Sequence, residues 1–253
     1  MSAQHAVPAP LQAATTYELR TRGSQATWNP VVVPAYGHQA RPVRLGTLAG
    51  ASSREIRGIV QQVLALFLVD DSGSMYGQWG DPTGVRYAAA LSLVALMRKS
   101  GGGRAGVLHW GTAPGGELTC LDVRKHPRAL TQALQIPPTL GGNDLPAALQ
   151  RGRELLGAST PEQHPLVFVL TDGIEDVTPA TVAAVAALPA RSVHMVLIDR
   201  SNGCTSDMEA AWRSVAFGSF TRLTRLNVQD MASEMGDVFA NALGLTVTPT
   251  LKP

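Results

Sequence analysis

The chain has only two cysteines, Cys120 and Cys204, in 253 residues. They make no disulfide framework, and a reduced pair is the expectation. No CxxC or HxxxH pattern is present, so the roughly four ligands of a zinc site are missing. The six histidines (His5, His38, His109, His126, His164 and His194) stand apart in sequence and read as surface or satisfied core residues. Neither charge dominates: 21 basic and 19 acidic side chains give a net +2. No basic stripe with interleaved aromatics runs through the sequence, so nucleic acid is not an expected partner. The scattered Arg and Lys residues read as a solvated surface. The longest apolar run within a helix candidate, Tyr87 to Met97, falls far short of the ~20 residues a membrane span needs. Met1 to His5 has neither a basic n-region nor an apolar h-region, so no signal peptide and no membrane attachment are expected, and the cytoplasm is the default location.

What is present suits one substantial globular domain with an extension: 45% of residues are hydrophobic and 16% charged. Residues 1–50 are punctuated by Pro8, Pro10, Pro30, Pro34 and Pro42 and show no helical period. They read as an N-terminal extension or arm, partly disordered, with short β-like pieces at Val31–Val33 and Val43–Leu45. Residues 51–245 read as the main domain, and residues 246–253 as a loose C-terminal tail.

Within the domain, Ile56, Ile59, Val60 and Val63 recur at helical spacing and lead into the strand Leu64 to Val69. That strand is apolar on both faces, which requires helices on both sides and a central place in a parallel sheet. A helix over 83–99 follows. Strands over 105–110 and 117–121 read as an antiparallel hairpin. Helices are expected at 128–135 and from Asn143 or Asp144 onward, with Pro146 in the first turn. Leu166 to Leu170 is a second fully apolar strand. Further strands are expected at 193–198 and 219–223, and helices from Thr178, from a capping box at Ser206-Asp207-Met208-Glu209, and from Asn227. This alternation predicts an α/β fold, Rossmann-like and doubly wound. Its central sheet is mostly parallel, with helices on both faces and one antiparallel edge hairpin.

Polar residues gather where such sheets bind ligands, at the carboxyl ends of strands. The first apolar strand ends in Asp70-Asp71-Ser72-Gly73-Ser74, and alternation aims Asp70, Ser72 and Ser74 at one point. The second ends in Thr171-Asp172-Gly173. If the strands are neighbours, two carboxylates meet, and a divalent cation relieves their repulsion. All these donors are hard oxygens of the kind that suit Mg²⁺ or Mn²⁺.

Asp70-Asp71-Ser72-Gly73-Ser74, Gly141-Gly142-Asn143-Asp144 and Thr171-Asp172-Gly173 together resemble the three segments of the metal-ion-dependent adhesion site of von Willebrand factor A domains. The resemblance runs in order and spacing over about residues 60–243. It implies a Mg²⁺ (or Mn²⁺) at the top of the sheet, with Asp70, Ser72 and Ser74 as ligands and Asp172 binding directly or through water. The family usually has threonine after the paired glycines, where this chain has Asn143. Its side-chain carbonyl can bind Mg²⁺, and Asn is equally an excellent helix N-cap, so two roles stand open for it. Tyr76, Trp79 and Trp110 are either rim aromatics of a protein interface or ordinary partly buried residues.

The resemblance implies a non-enzymatic adaptor whose cation takes a partner's Asp or Glu. The bacterial intracellular proteins that the chain resembles often serve as adaptors for AAA+ ATPases or in stress-response complexes. A metal-dependent hydrolase or phosphatase is the alternative, and a structural module with a vestigial site is a third reading. Against the enzyme, the position two residues after Asp70 is Ser72 rather than a second acid. Ser74 lacks the flanking glycines of a hydrolase elbow. Asp199, at the end of another strand, reads as a surface acid.

Overall fold

The structure, a computed structural model, describes residues 18–22, 25–29, 43–47, 52–77, 80–111, 116–135, 142–157, 159–200 and 203–249. The β-like piece at 31–33, Trp79, Thr139, Gly141 and most of the expected N-terminal arm lie outside them.

In chain order the elements are β1 (Glu18–Arg22), β2 (Gln25–Asn29), β3 (Val43–Thr47), α1 (Ser53–Gln61), β4 (Val63–Asp70), α2 (Val85–Ser100), β5 (Arg104–Trp110) and β6 (Glu117–Asp122). There follow α3 (Pro127–Ala133), α4 (Leu145–Leu156), β7 (His164–Thr171), α5 (Pro179–Ala186), β8 (Val193–Ile198), α6 (Ser206–Ser214), β9 (Ser219–Leu223), α7 (Val228–Ala242) and β10 (Leu245–Pro249). A 3₁₀ turn, Gly73–Tyr76, follows β4.

The main sheet has six strands in the order β6-β5-β4-β7-β8-β9. All pairs are parallel except β5 with β6, which is the expected antiparallel edge hairpin. Alternation along the strands divides two cores. Ala65, Phe67 and Val69 of β4 and Leu166, Phe168 and Leu170 of β7 face one side, with α1, α2 and α7. Leu66 and Leu68 of β4 and Val167 and Val169 of β7 face the other, with α4, α5 and α6. Phe67 and Phe168 stand opposite each other in register and stack at 5.7 Å. Each fully buried ring of this kind contributes roughly 1.5–3 kcal/mol through the water it escapes.

Three expectations are corrected. Residues 246–249, expected in a loose tail, belong to a strand, 245–249, paired antiparallel with 43–47. Leu245-Thr246-Val247-Thr248 alternates apolar and hydroxyl β-formers, a pattern that settles only once a partner is supplied. The cap of α6 is Thr205, whose hydroxyl accepts the Met208 N–H at 3.2 Å, so Ser206 is already in the first turn. Asp199 is buried rather than at the surface, because the Arg222 guanidinium pairs with it at 2.5 Å.

Candidate metal centre

The chain changes direction across the sheet at β4 and β7. Strands β5 and β6 lie to one side of β4, while β8 and β9 continue beyond β7. A switch point of this kind leaves a crevice at the carboxyl ends of its two strands. Asp70 is the last residue of β4, and Asp172 follows the last residue of β7.

Asp70 is fully buried. Its Oδ1 accepts the Ser72 backbone N–H at 2.8 Å, an Asx turn that bends the chain as soon as the strand ends. Its Oδ2 accepts the Thr171 hydroxyl at 2.5 Å. The bend carries Ser72 and Ser74 round until their hydroxyl oxygens lie 3.0 Å apart. Asp172 is also buried; Oδ1 accepts the Ile174 N–H at 3.3 Å, and Oδ2 has no hydrogen-bond partner among the described residues. Burial pushes Asp70 up to about 7, and the charge of Asp172 adds to the rise. Burial raises Asp172 as well. Gly173 makes the turn after it with φ at 65°, and a Cβ there would lie 2.4 Å from Leu197 Cδ1, so only glycine fits.

The third segment reaches the same edge by a different bond. Trp110 ends β5 opposite Asp70 in the strand register, and its indole N–H donates to Asn143 Oδ1 at 2.9 Å. Asn143 itself is exposed. The cap of α4 is Asp144, which accepts the Ala147 N–H at 3.0 Å, so Asn143 is not the cap. Glu175 comes three residues after Asp172. Burial pushes it up to about 7, with the charges of Asp144 and Asp172 adding, and its Oε1 is buried without a hydrogen-bond partner among the described residues.

Behind the loop that follows β4 lies a buried polar cluster that sequence reasoning missed. Asp71 accepts from Arg86 Nη2 at 2.8 Å, from the Tyr76 hydroxyl at 2.9 Å and from the Tyr87 hydroxyl. His109 places Nδ1 at 2.5 Å from Asp71 Oδ2 and Nε2 at 2.6 Å from the Ala133 carbonyl. Burial opposes its charge, yet His109, Arg86 and Tyr87 together hold the Asp71 carboxyl below its ordinary range. Arg86 also pairs with Asp81, whose carboxylate takes the Val85 and Arg86 N–H groups at the start of α2. Arg86 is thus an interior residue rather than part of the solvated surface. Tyr76 and Trp110 are buried too, and neither is an exposed rim aromatic. His109 is the satisfied core histidine its isolation suggested.

The donor set at the crevice is two acids and two serine hydroxyls. Among the described residues no group of three or more His, Cys, Asp and Glu side chains is arranged to hold a metal. A site of mixed carboxylate and hydroxyl oxygens lies outside that description, and these donors fit a hard divalent cation. The partnerless Asp172 Oδ2 and the mutual charge of Asp70 and Asp172 are what such a cation would satisfy.

Residues 65–175 match the von Willebrand factor type A domain family. Over that segment the chain is similar to this family. Its fold agrees with solved structures at low identity. The pilus adhesin SpaC from Lactobacillus rhamnosus GG superposes with a TM-score of 0.59 at 14% identity, over 72% of this chain and 30% of the adhesin. The conserved hypothetical protein BatB from Bacteroides thetaiotaomicron gives 0.51 at 14% identity, over 71% of this chain and 98% of BatB. Proximal thread matrix protein 1 from the mussel byssus gives 0.50 at 16% identity, over 72% and 48%. This chain therefore spans under a third of the adhesin's length. No curated protein matches the sequence. Von Willebrand factor A domains commonly mediate protein–protein interactions, and members of the family often bind divalent cations.

Proposed function

We propose that this chain is a non-enzymatic, cytoplasmic protein-binding module that recognises a partner's carboxylate through a divalent cation at the β4/β7 switch point. Asp70, Ser72, Ser74 and Asp172 would hold Mg²⁺ or Mn²⁺, and Asn143 stands at the rim. A bound cation supplies an oxygen-seeking positive centre that an Asp or Glu side chain of the partner can complete. The observation that carries this reading is the buried pair Asp70 and Asp172, with Asp172 Oδ2 left without a hydrogen-bond partner among the described residues. A buried acceptor in that state is costly unless something else supplies positive charge. An AAA+ ATPase or a stress-response complex is the partner class the resemblance suggests.

Calorimetry with Mg²⁺ and with Mn²⁺ tests the site. One-site uptake is expected for the wild type and none for Asp70→Ala. Capture of native partners should then be lost with chelator. Partner capture that ignores the chelator would remove the metal bridge from the account. Phosphate-ester turnover that vanishes in Asp70→Ala would replace the adaptor with a hydrolase.

A further inference from the structure

We infer that Asn143 serves the partner's carboxylate rather than the cation: its side-chain amino group donates to the carboxylate, and Trp110 is the residue that positions it. The inference rests on the cation reading above and assigns a second recognition point to the same site.

The orientation of the Asn143 amide follows from chemistry. An indole N–H can only donate, so the amide atom 2.9 Å from Trp110 Nε1 is the carbonyl oxygen. The amide is planar, and its two ends diverge. With Oδ1 turned to Trp110, Nδ2 is turned away from it, on an exposed residue and with no hydrogen-bond partner among the described residues.

The location follows from the strands. Trp110 stands opposite Asp70, and its carbonyl accepts the Asp71 N–H at 3.0 Å. Asp144 lies within charge range of Glu175, and the Leu145 N–H reaches the Glu175 carboxyl. Glu175 comes three residues after Asp172. The segment 143–145 therefore crosses the rim from the β5 end to the segment that follows β7, with Asn143 on the β5 side.

An amino group repels a cation but suits an anion. A carboxylate bound to a cation through one oxygen leaves the other in need of a donor. Threonine, the usual residue here, has one hydroxyl, and its oxygen is committed when it binds metal. Asn143 divides the work: its oxygen is held by Trp110, and its two N–H donors have no hydrogen-bond partner among the described residues. A carboxylate satisfies both centres at once, whereas a neutral carbonyl ligand has no second oxygen to offer. Asn143 thus favours Asp or Glu over neutral oxygen ligands.

The test uses ¹⁵N–¹H spectra and calorimetry of the full chain, with Mg²⁺ alone and then with sodium acetate as the carboxylate probe. On Mg²⁺ saturation the Trp110 indole resonance should stay in place. The Asn143 side-chain NH₂ pair should move only when acetate is added. In Asn143→Ala, Mg²⁺ affinity should stay within about twofold, while acetate affinity of the Mg²⁺-loaded protein falls roughly tenfold, the scale of one hydrogen bond to a charged group. Trp110→Phe should lose acetate affinity in the same direction with Mg²⁺ affinity kept. Because Trp110 is buried, Asn143→Ala carries the test if that variant fails to fold.

A Trp110 indole resonance displaced by Mg²⁺ alone, or a drop of about tenfold or more in Mg²⁺ affinity for Asn143→Ala, would make Asn143 a metal ligand and overturn the inference while leaving the cation site standing. Unchanged acetate affinity in Asn143→Ala overturns it too. Absence of Mg²⁺ uptake by the wild type removes the cation reading itself.

Discussion

Arg86 carries a positive charge into the interior, where Asp71, Asp81 and the hydroxyls of Tyr76 and Tyr87 surround it. Arg86, Asp71 and Asp81 are fully buried. Exchanging the guanidinium for an apolar side chain of similar length leaves two acids in the core with reduced compensation. Breaking a buried pair in this way costs about 3–5 kcal/mol. We expect Arg86→Met to lose that much stability in urea denaturation. The double variant with Asp71→Asn should lose less than the sum of the two single changes, because the second change removes an acid that the first had stranded. His194 works in the opposite sense, as a buried base. Its Nδ1 lies 3.0 Å from the Ser219 hydroxyl, and its Nε2 has no hydrogen-bond partner among the described residues. Burial lowers its pKa from 6.5 to about 4. The folded chain then binds fewer protons than the unfolded chain between those two values. Stability is full above pH 6.5 and is lost as pH falls toward 4, by an amount on the order of 3 kcal/mol. His194→Gln should flatten that acid limb, and equal slopes for both proteins would show that His194 does not set it.

At the scale of elements, the edge hairpin depends on a close approach. A Cβ at Gly106 would lie 2.8 Å from the Leu118 carbonyl oxygen and 3.1 Å from the Cys120 nitrogen. The β5/β6 register is irregular at the same place, between Ala105 and Val107. Both contacts are backbone, which cannot swing aside as a side chain can. Gly106→Ala should therefore push β6 off the sheet and cost about 1–3 kcal/mol. Hydrogen exchange should speed up at the β6 amides and stay unchanged in β7 and β8. The central strands are legible in the sequence because Leu64 to Val69 and Leu166 to Leu170 are apolar at every position, which only a strand covered on both faces tolerates. Asp70 and Asp172 are legible for the same reason, since they break those runs at the strand ends. β10 is not legible, because its partner lies about two hundred residues upstream and its own pattern is five residues long. The burial of Arg86 and Asp199 is hidden for a related reason. Each is neutralised by residues from other segments, so neither leaves a periodic trace. The bond between Trp110 and Asn143 joins residues 33 apart, and nothing near either one announces it.

For the whole molecule, the proposed cation site ties stability to metal. Without one, the folded chain holds Asp70 and Asp172 close together and buried, a cost the unfolded chain does not bear. Because burial and Asp172 raise Asp70 from 3.8 to about 7, the cost is absent below the lower value, grows between the two, and is complete above the upper. Asp70→Asn removes it while keeping the fold of the loop. The amide oxygen can still accept the Ser72 N–H, and the Thr171 hydroxyl can turn to accept where it now donates. Without added metal, Asp70→Asn should be more stable than the wild type, by a margin that widens as pH rises from 5 to 8. Mg²⁺ should then separate the two proteins in the other direction. At a free concentration a hundred times its Kd, a cation bound only by the folded state adds about 2.7 kcal/mol. For a chain of this size that raises Tm by roughly 5–10 °C. Thermal denaturation at pH 8 with and without Mg²⁺ should show this rise in the wild type and none in Asp70→Asn. A variant less stable than the wild type at every pH without metal would mean that the two acids do not oppose each other, and the site would lose its reason to bind a cation.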